Sequence, residues 1–149
     1  EELVLKLVSM IGSTYQKKVE EVIWNWLSYI DIYREVFPVL SELKKKGHRI
    51  FVLSNTSKVF YDLLEEQLSP LKELLDGFVL SCDIKAIIKQ RGGLDISMKE
   101  ILDKYQLNPT NCVFLDDIED NTNAAEKLGI KAHQVKKRSD VVDILKSYV

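Results

Sequence analysis

Arg49-Ile50-Phe51-Val52-Leu53-Ser54-Asn55-Thr56-Ser57 is the stretch on which the fold turns. From Arg49 to Leu53 it is a nearly continuous apolar run of strand length, without polar alternation. A strand of that kind is buried on both faces, as in a parallel sheet covered by helices. Upstream, a short helix through Val39, Leu40 and Leu43 stops at Lys44-Lys45-Lys46-Gly47, basic residues and glycine being the expected helix exit. Downstream the unit recurs. A helix over Ser57 to Leu68 leads to the run Phe78-Val79-Leu80, a helix over Ser97 to Tyr105 to Cys112-Val113-Phe114-Leu115, and a helix over Asp120 to Leu128 to a strand over Lys131 to Val135. A helix over Ser139 to Tyr148 closes the chain. Alternating strands and helices imply right-handed βαβ crossovers and an α/β, doubly wound, parallel Rossmann-like sheet.

Ahead of this part no strand is needed. Val19, Val22, Ile23, Trp26, Leu27 and Ile30 recur at helical spacing, and Gly12-Ser13 interrupts the run. The organisation expected is a helical segment over 1–33 and an α/β part over 34–149. Of the two tryptophans, Trp24 and Trp26, the second is expected in the core.

The 149 residues are 46% hydrophobic and 30% charged, a globular composition with room for one core. Lys and Arg number 21 against 23 Asp and Glu, a formal charge of -2. No global positive field is available for nucleic acid or an anionic membrane, and Lys44-Lys45-Lys46 and Lys136-Lys137-Arg138 read as solvated faces. No apolar run is long enough to span a bilayer, and Glu1-Glu2-Leu3-Val4-Leu5-Lys6 lacks the layout of a secretion signal, so a cytoplasmic location is expected. Cys82 and Cys112 have no metal-ligand spacing and are expected as buried free thiols. Leu3, Leu5, Leu7 and Val8 already run as a helix under way, the pattern of a chain that is part of something longer.

Open α/β sheets bind ligands beyond the carboxyl ends of their strands. After the first run, Ser54-Asn55-Thr56-Ser57 either caps the next helix or holds a phosphate with its hydroxyls and free amides. After the third come Asp116 and Asp117, then Ile118-Glu119-Asp120-Asn121. Neighbouring carboxylates raise each other's proton affinity unless a cation or hydrogen-bond donors offset the charge. A hard ion such as Mg2+ would do so, and a solvated helix N-terminus is the plainer alternative. Ser81-Cys82-Asp83-Ile84 follows the second run, with Lys85 and Lys89 beyond it. A lysine there would neutralise a transferred phosphoryl group or sit solvated on the surface.

In that order, these segments resemble the haloacid dehalogenase superfamily of phosphohydrolases, from Tyr33 to Val135. Phe51-Val52-Leu53-Ser54-Asn55 is similar to its second motif, and Val113 to Asn121, continued by Asn123 to Ile130, to its fourth. The branch resembled holds the phosphatase domain of soluble epoxide hydrolases and small sugar-phosphate phosphatases, in which residues 1–31 would belong to a helical cap. The resemblance implies Ser54 and the Asn55 backbone on the phosphoryl oxygens, and Lys89 as the third-motif lysine, with Lys85 the alternative. Ala86 and Gln90 stand where the family has Gly and Pro. It further implies Mg2+ on the acid pair, with Asp117 as ligand and Asp116 supporting the lysine, and Asn121 ordering the loop. The first motif, Asp-x-Asp after an apolar strand, is absent; the only aspartate before Ser54 is Asp31, read as a surface or turn residue. Its first Asp is the family's nucleophile and its second the general acid/base. Roughly 50 further residues are expected upstream, giving about 200, a usual size for this architecture with a cap. They would hold a strand lying between those that end at Ser54 and Asp116.

The function expected is a Mg2+-dependent phosphatase of a small phosphorylated metabolite. A catalytically inactive relative that binds a phosphorylated ligand or a protein is the alternative. A receiver domain fits poorly, because its acid pair belongs near the first strand. A homodimer is allowed by the sequence and not required by it.

Overall fold

The computed structural model describes residues 2–26, 30–56, 58, 61–62, 67–81 and 93–149. The chain divides into two compact units, Glu1–Ile32 and Tyr33–Val149. In the first, helices α1 (Glu2–Ile11) and α2 (Gln16–Asn25) flank a short 3-10 turn at Ser13–Tyr15. Gly12 makes the corner at φ +103, a conformation that favours glycine. Val4 on α1 packs with Val19 and Ile23 on α2, and Leu7 and Val8 flank them. A two-helix unit buries one stripe from each helix, so the other sides stay open. Trp24 is 53% and Trp26 46% exposed, which corrects the expectation that Trp26 lies in the core.

The second unit alternates helix and strand: α3 (Phe37–Lys45), β1 (Phe51–Ser54), α4 (Ser69–Lys72), β2 (Gly77–Leu80), α5 (Gly93–Lys104), β3 (Val113–Asp116), α6 (Glu119–Lys127), β4 (Lys131–Gln134) and α7 (Arg138–Lys146). β1 pairs with β2 in parallel, Leu53 opposite Val79 and Ser54 opposite Leu80. β3 pairs with β4 in parallel, Phe114 opposite Ala132 and Asp116 opposite Gln134. Among the described residues the two ladders share no strand pairing. Of the helix expected over Ser57 to Leu68, residues 58, 61–62 and 67–68 are described, the first three helical and the last two a turn, and Cys82 lies outside the described residues. Cys112 is half-buried, with burial pushing its thiol up against the opposing charge of Arg49.

Helices cover the ladders on two sides. Met98 and Leu102 of α5, Ala125 of α6 and Ile130 form one core, against which Leu53 of β1, Phe114 of β3 and Ala132 of β4 pack. Val39, Leu40 and Leu43 of α3 form the other with Val142 and Leu145 of α7 and with Ile50. Ile50 and Leu53 are an odd number of residues apart along extended chain, so they point to opposite faces. That is why the run reads apolar throughout. Helix α6 ends where glycine permits: at Gly129 (φ +85) the Ile130 N–H returns to the Ala125 carbonyl and the Gly129 N–H to that of Glu126. This paired closure satisfies carbonyls that the end of α6 leaves open.

Candidate functional site

Tyr105, just past the end of α5, marks the amino end of the β1–β2 ladder. Its ring centroid lies 4.6 Å from that of Phe51, at the start of β1, and it lies over Gly77, the start of β2, where an added Cβ would overlap its hydroxyl. The amino ends of β1 and β2 thus gather at Tyr105. Ser54 closes β1 and Asp116 closes β3, and Leu53 and Phe114 of these two strands pack on one shared core.

Beyond β1 the chain is held by Ser81. The parallel ladder continues one residue past the strand, the Ser81 N–H donating to the Ser54 carbonyl at 2.9 Å. The Ser81 hydroxyl, itself buried, donates to Asn55 Oδ1 at 2.8 Å, with the Thr56 carbonyl a second acceptor at 3.3 Å. Ser54 is half-buried and Asn55 exposed.

Beyond β3, Asp116 Oδ1 accepts from the Ile118 N–H at 2.8 Å and from Asn121 Nδ2 at 2.9 Å. The first of these closes an Asx turn, the local bond that lets an aspartate shape the chain two residues on. The second ties the strand end to α6, whose first turn carries Glu119 and Asp120 in the position the helix dipole favours. The two members of the acid pair therefore differ. Donors offset the charge on Asp116, while Asp117 is exposed. The Asp117 carbonyl accepts from Gln134 Nε2 at 3.2 Å, and the Val135 N–H donates to the Asp116 carbonyl at 2.8 Å.

The structure thus places Ser54 and Asn55 at and just beyond the carboxyl end of β1, and Asp116, Asp117 and Asn121 at and just beyond that of β3. Lys89 and its alternative Lys85 lie outside the described residues. Ser81 and Gln134 were given no role by the sequence reading. The signal for both is the polar residue at the end of the strand paired with a site strand, which needs the register to be read. For a cation, Asp117 offers one hard carboxylate; among the described residues no group of three or more His, Cys, Asp and Glu side chains is gathered as a metal would require. The described residues alone do not make a complete metal site.

A family model for haloacid dehalogenase-like hydrolases matches residues 2–129. The chain belongs to that family. It is 27% identical over 119 residues to Phosphatase MT3486 of Mycobacterium tuberculosis (strain CDC 1551 / Oshkosh), a match covering 80% of this chain and 53% of the relative. The chain thus spans about half the length of that relative. In structure it resembles the HAD family enzyme bt-2542 of Bacteroides thetaiotaomicron, with a TM-score of 0.72 at 21% identity, over 85% of this chain and 63% of that one. An aspartate-to-alanine mutant of the same enzyme, in complex with magnesium and inorganic phosphate, is similar at a TM-score of 0.65 and 20% identity, over 78% of this chain and 60% of that one. These likenesses establish the fold. No helix among the described residues is long and apolar enough to cross a membrane.

Proposed function

We propose that the protein containing this chain is a Mg2+-dependent phosphatase of a small phosphorylated metabolite. The observation that carries the reading is that Ser54-Asn55 and Asp116-Asp117 stand at the carboxyl ends of two strands that pack on one core in a hydrolase-family fold. The similarity to a phosphatase and to an enzyme complexed with magnesium and phosphate supports it. Ser54 and the Asn55 backbone would hold the phosphoryl oxygens, Lys89 would neutralise their charge, and Asp116 with Asn121 would keep the acid loop in shape. Mg2+, with Asp117 among its ligands, would supply positive charge beside the phosphoryl group. The attacking group in this reading is an aspartate of a segment preceding Glu1, on a strand lying between β1 and β3; β1 and β3 have no strand pairing with each other among the described residues, which leaves an edge on each for such a strand.

The test is phosphate release from p-nitrophenyl phosphate by the protein as its host makes it, with and without a chelator, for the parent and Asp117→Asn. Chelator-sensitive turnover is expected, falling at least a hundredfold in the variant, roughly the loss seen when one electrostatic group at a reacting centre is removed. Turnover indifferent to chelator and to Asp117→Asn would sink the metal role. Phosphate binding without turnover would point instead to an inactive relative that binds phosphorylated ligands.

A further inference from the structure

We infer that Ser81, at the end of β2, is the positioning residue of the phosphoryl-binding segment Ser54-Asn55-Thr56; the inference rests on the phosphatase reading and deepens it. One residue grips three in succession. Its N–H takes the Ser54 carbonyl at 2.9 Å, and its hydroxyl takes the Asn55 side-chain oxygen at 2.8 Å and lies 3.3 Å from the Thr56 carbonyl. A peptide group is planar and trans, so its N–H points opposite to its C=O. Holding the Ser54 carbonyl toward β2 therefore aims the Asn55 N–H away from β2. Holding the Asn55 amide by its oxygen leaves both of its N–H donors on the other branch of the group. Both constraints turn donors outward from the ladder, the arrangement an anion requires.

The hydroxyl is suited to the task. Ser81 is 6% exposed, so water does not compete for its proton, and it is uncharged, so it brings no field of its own to the phosphoryl group. Its backbone is fixed by the ladder, with Leu80 paired to Ser54 one residue before. A short side chain on a rigid strand end has few rotamers to lose, so its bond to Asn55 transmits the strand's position to the loop.

The experiment compares Ser81→Ala, Ser81→Thr, Asn55→Ala and the Ser81→Ala/Asn55→Ala double variant in the protein as its host makes it. It reads kcat/KM for p-nitrophenyl phosphate, inhibition by inorganic phosphate, thermal stability, and the NMR cross-peaks of the Asn55 side-chain amide. We expect Ser81→Ala to weaken phosphate inhibition about tenfold and to lower kcat/KM tenfold to a hundredfold, as loss of orientation does. Ser81→Thr, which keeps the hydroxyl, should restore most of it. In the Asn55→Ala background, Ser81→Ala should cost less than twofold further, because coupled residues are not additive. A Ser81→Ala enzyme within twofold of the parent in both kinetic readouts, whatever its melting point, overturns the inference, as do penalties that multiply fully in the double variant. A parent that neither hydrolyses the ester nor binds phosphate overturns the phosphatase reading instead. In that event the amide signals decide: Asn55 cross-peaks unmoved by Ser81→Ala overturn the positioning role, and shifted, broadened ones uphold it.

Discussion

At the amino end of the β1–β2 ladder, Asp76 takes the Ile50 N–H on its carboxylate at 2.6 Å and returns its own N–H to the Ile50 carbonyl at 2.7 Å. Lys44 of α3 closes on the same carboxylate at 2.7 and 2.8 Å. Arg49 donates to the Tyr105 carbonyl at 2.7 Å while its guanidinium lies 5.2 Å from the Phe51 ring centroid. At the carboxyl ends of β1 and β3 the side-chain donors are neutral: the Ser81 hydroxyl and the Asn121 and Gln134 amides. One end joins elements distant in sequence with charges that neutralise one another. The other fixes its loops through uncharged donors, Asp116 accepting two of them, and leaves Asp117 exposed. Charge consumed in a salt bridge is unavailable to a ligand, so an end meant for binding is better shaped by neutral donors. If that division is real, substitutions at the amino end should move stability and spare turnover, the reverse of what Asp117→Asn should do.

The largest expected break is Gly77→Ala. A methyl there would overlap the Tyr105 hydroxyl and ring, and that ring can retreat only by giving up its contact with Phe51. Overpacking of this kind costs about 1–3 kcal/mol. For a chain of this length that is roughly 2–10 °C in melting temperature. Thermal unfolding should show the fall while kcat stays within twofold of the parent. A collapse of kcat at unchanged melting temperature would mean that the two ends are not separable.

Asp76→Asn should cost less and should carry a pH signature. Burial works to raise this carboxyl, but the Lys44 hydrogen bond, the Ile50 N–H and the charges of Lys44 and Arg49 outweigh it and hold it below its ordinary 3.8. A depressed folded value means that the unfolded chain takes up the proton first as pH falls. The carboxylate's contribution is therefore full above about pH 4 and is lost below it. Lys44 and Asp76 side chains are 31% and 27% exposed, so solvent screening limits the loss at pH 7 to about 1 kcal/mol. Denaturant unfolding of parent and variant should give midpoints that are separated at pH 7 and converge toward pH 2. A separation that persists undiminished at pH 2 would refute the assignment to ionised Asp76.

What the sequence could reveal of this arrangement depended on range. Apolar runs and glycine exits are local signals, so every described strand lies within a residue or two of its expected place, and α6 and α7 each begin one residue early. Helix α5 begins at Gly93 rather than Ser97, because Gly92-Gly93 reads as a break while a helix's first residue tolerates glycine. Asp116 and Asn121 lie five residues apart, and their bond can be read from a strand end followed by a helix start. Ser81 and Asn55 are 26 residues apart, and nothing in either segment reports the register that brings them together. Trp26 misled for the same reason: helical spacing says which residues share a face, not whether a second layer covers it.

The smallest effect expected should run the other way. Gln106 follows α5 at φ +50, the one described non-glycine residue at positive φ. Its N–H donates to the Asp103 carbonyl at 3.2 Å and the Leu107 N–H returns to Leu102 at 2.8 Å, the same closure that Gly129 gives α6. A side chain in this left-handed conformation costs about 1–2 kcal/mol. Gln106→Gly removes that cost, while the added freedom of the unfolded chain takes back about 0.4–1 kcal/mol. The balance is a gain of roughly 0.5–1 kcal/mol, or about 1–4 °C in melting temperature. Gln106→Ala, which keeps a Cβ, should gain nothing, and this separates backbone strain from loss of the exposed side chain. The residue lies at the amino end beside Tyr105, so turnover should stay within twofold in both variants. Equal melting temperatures for the glycine and alanine variants would show that the turn, and not the left-handed residue, sets the stability of this end.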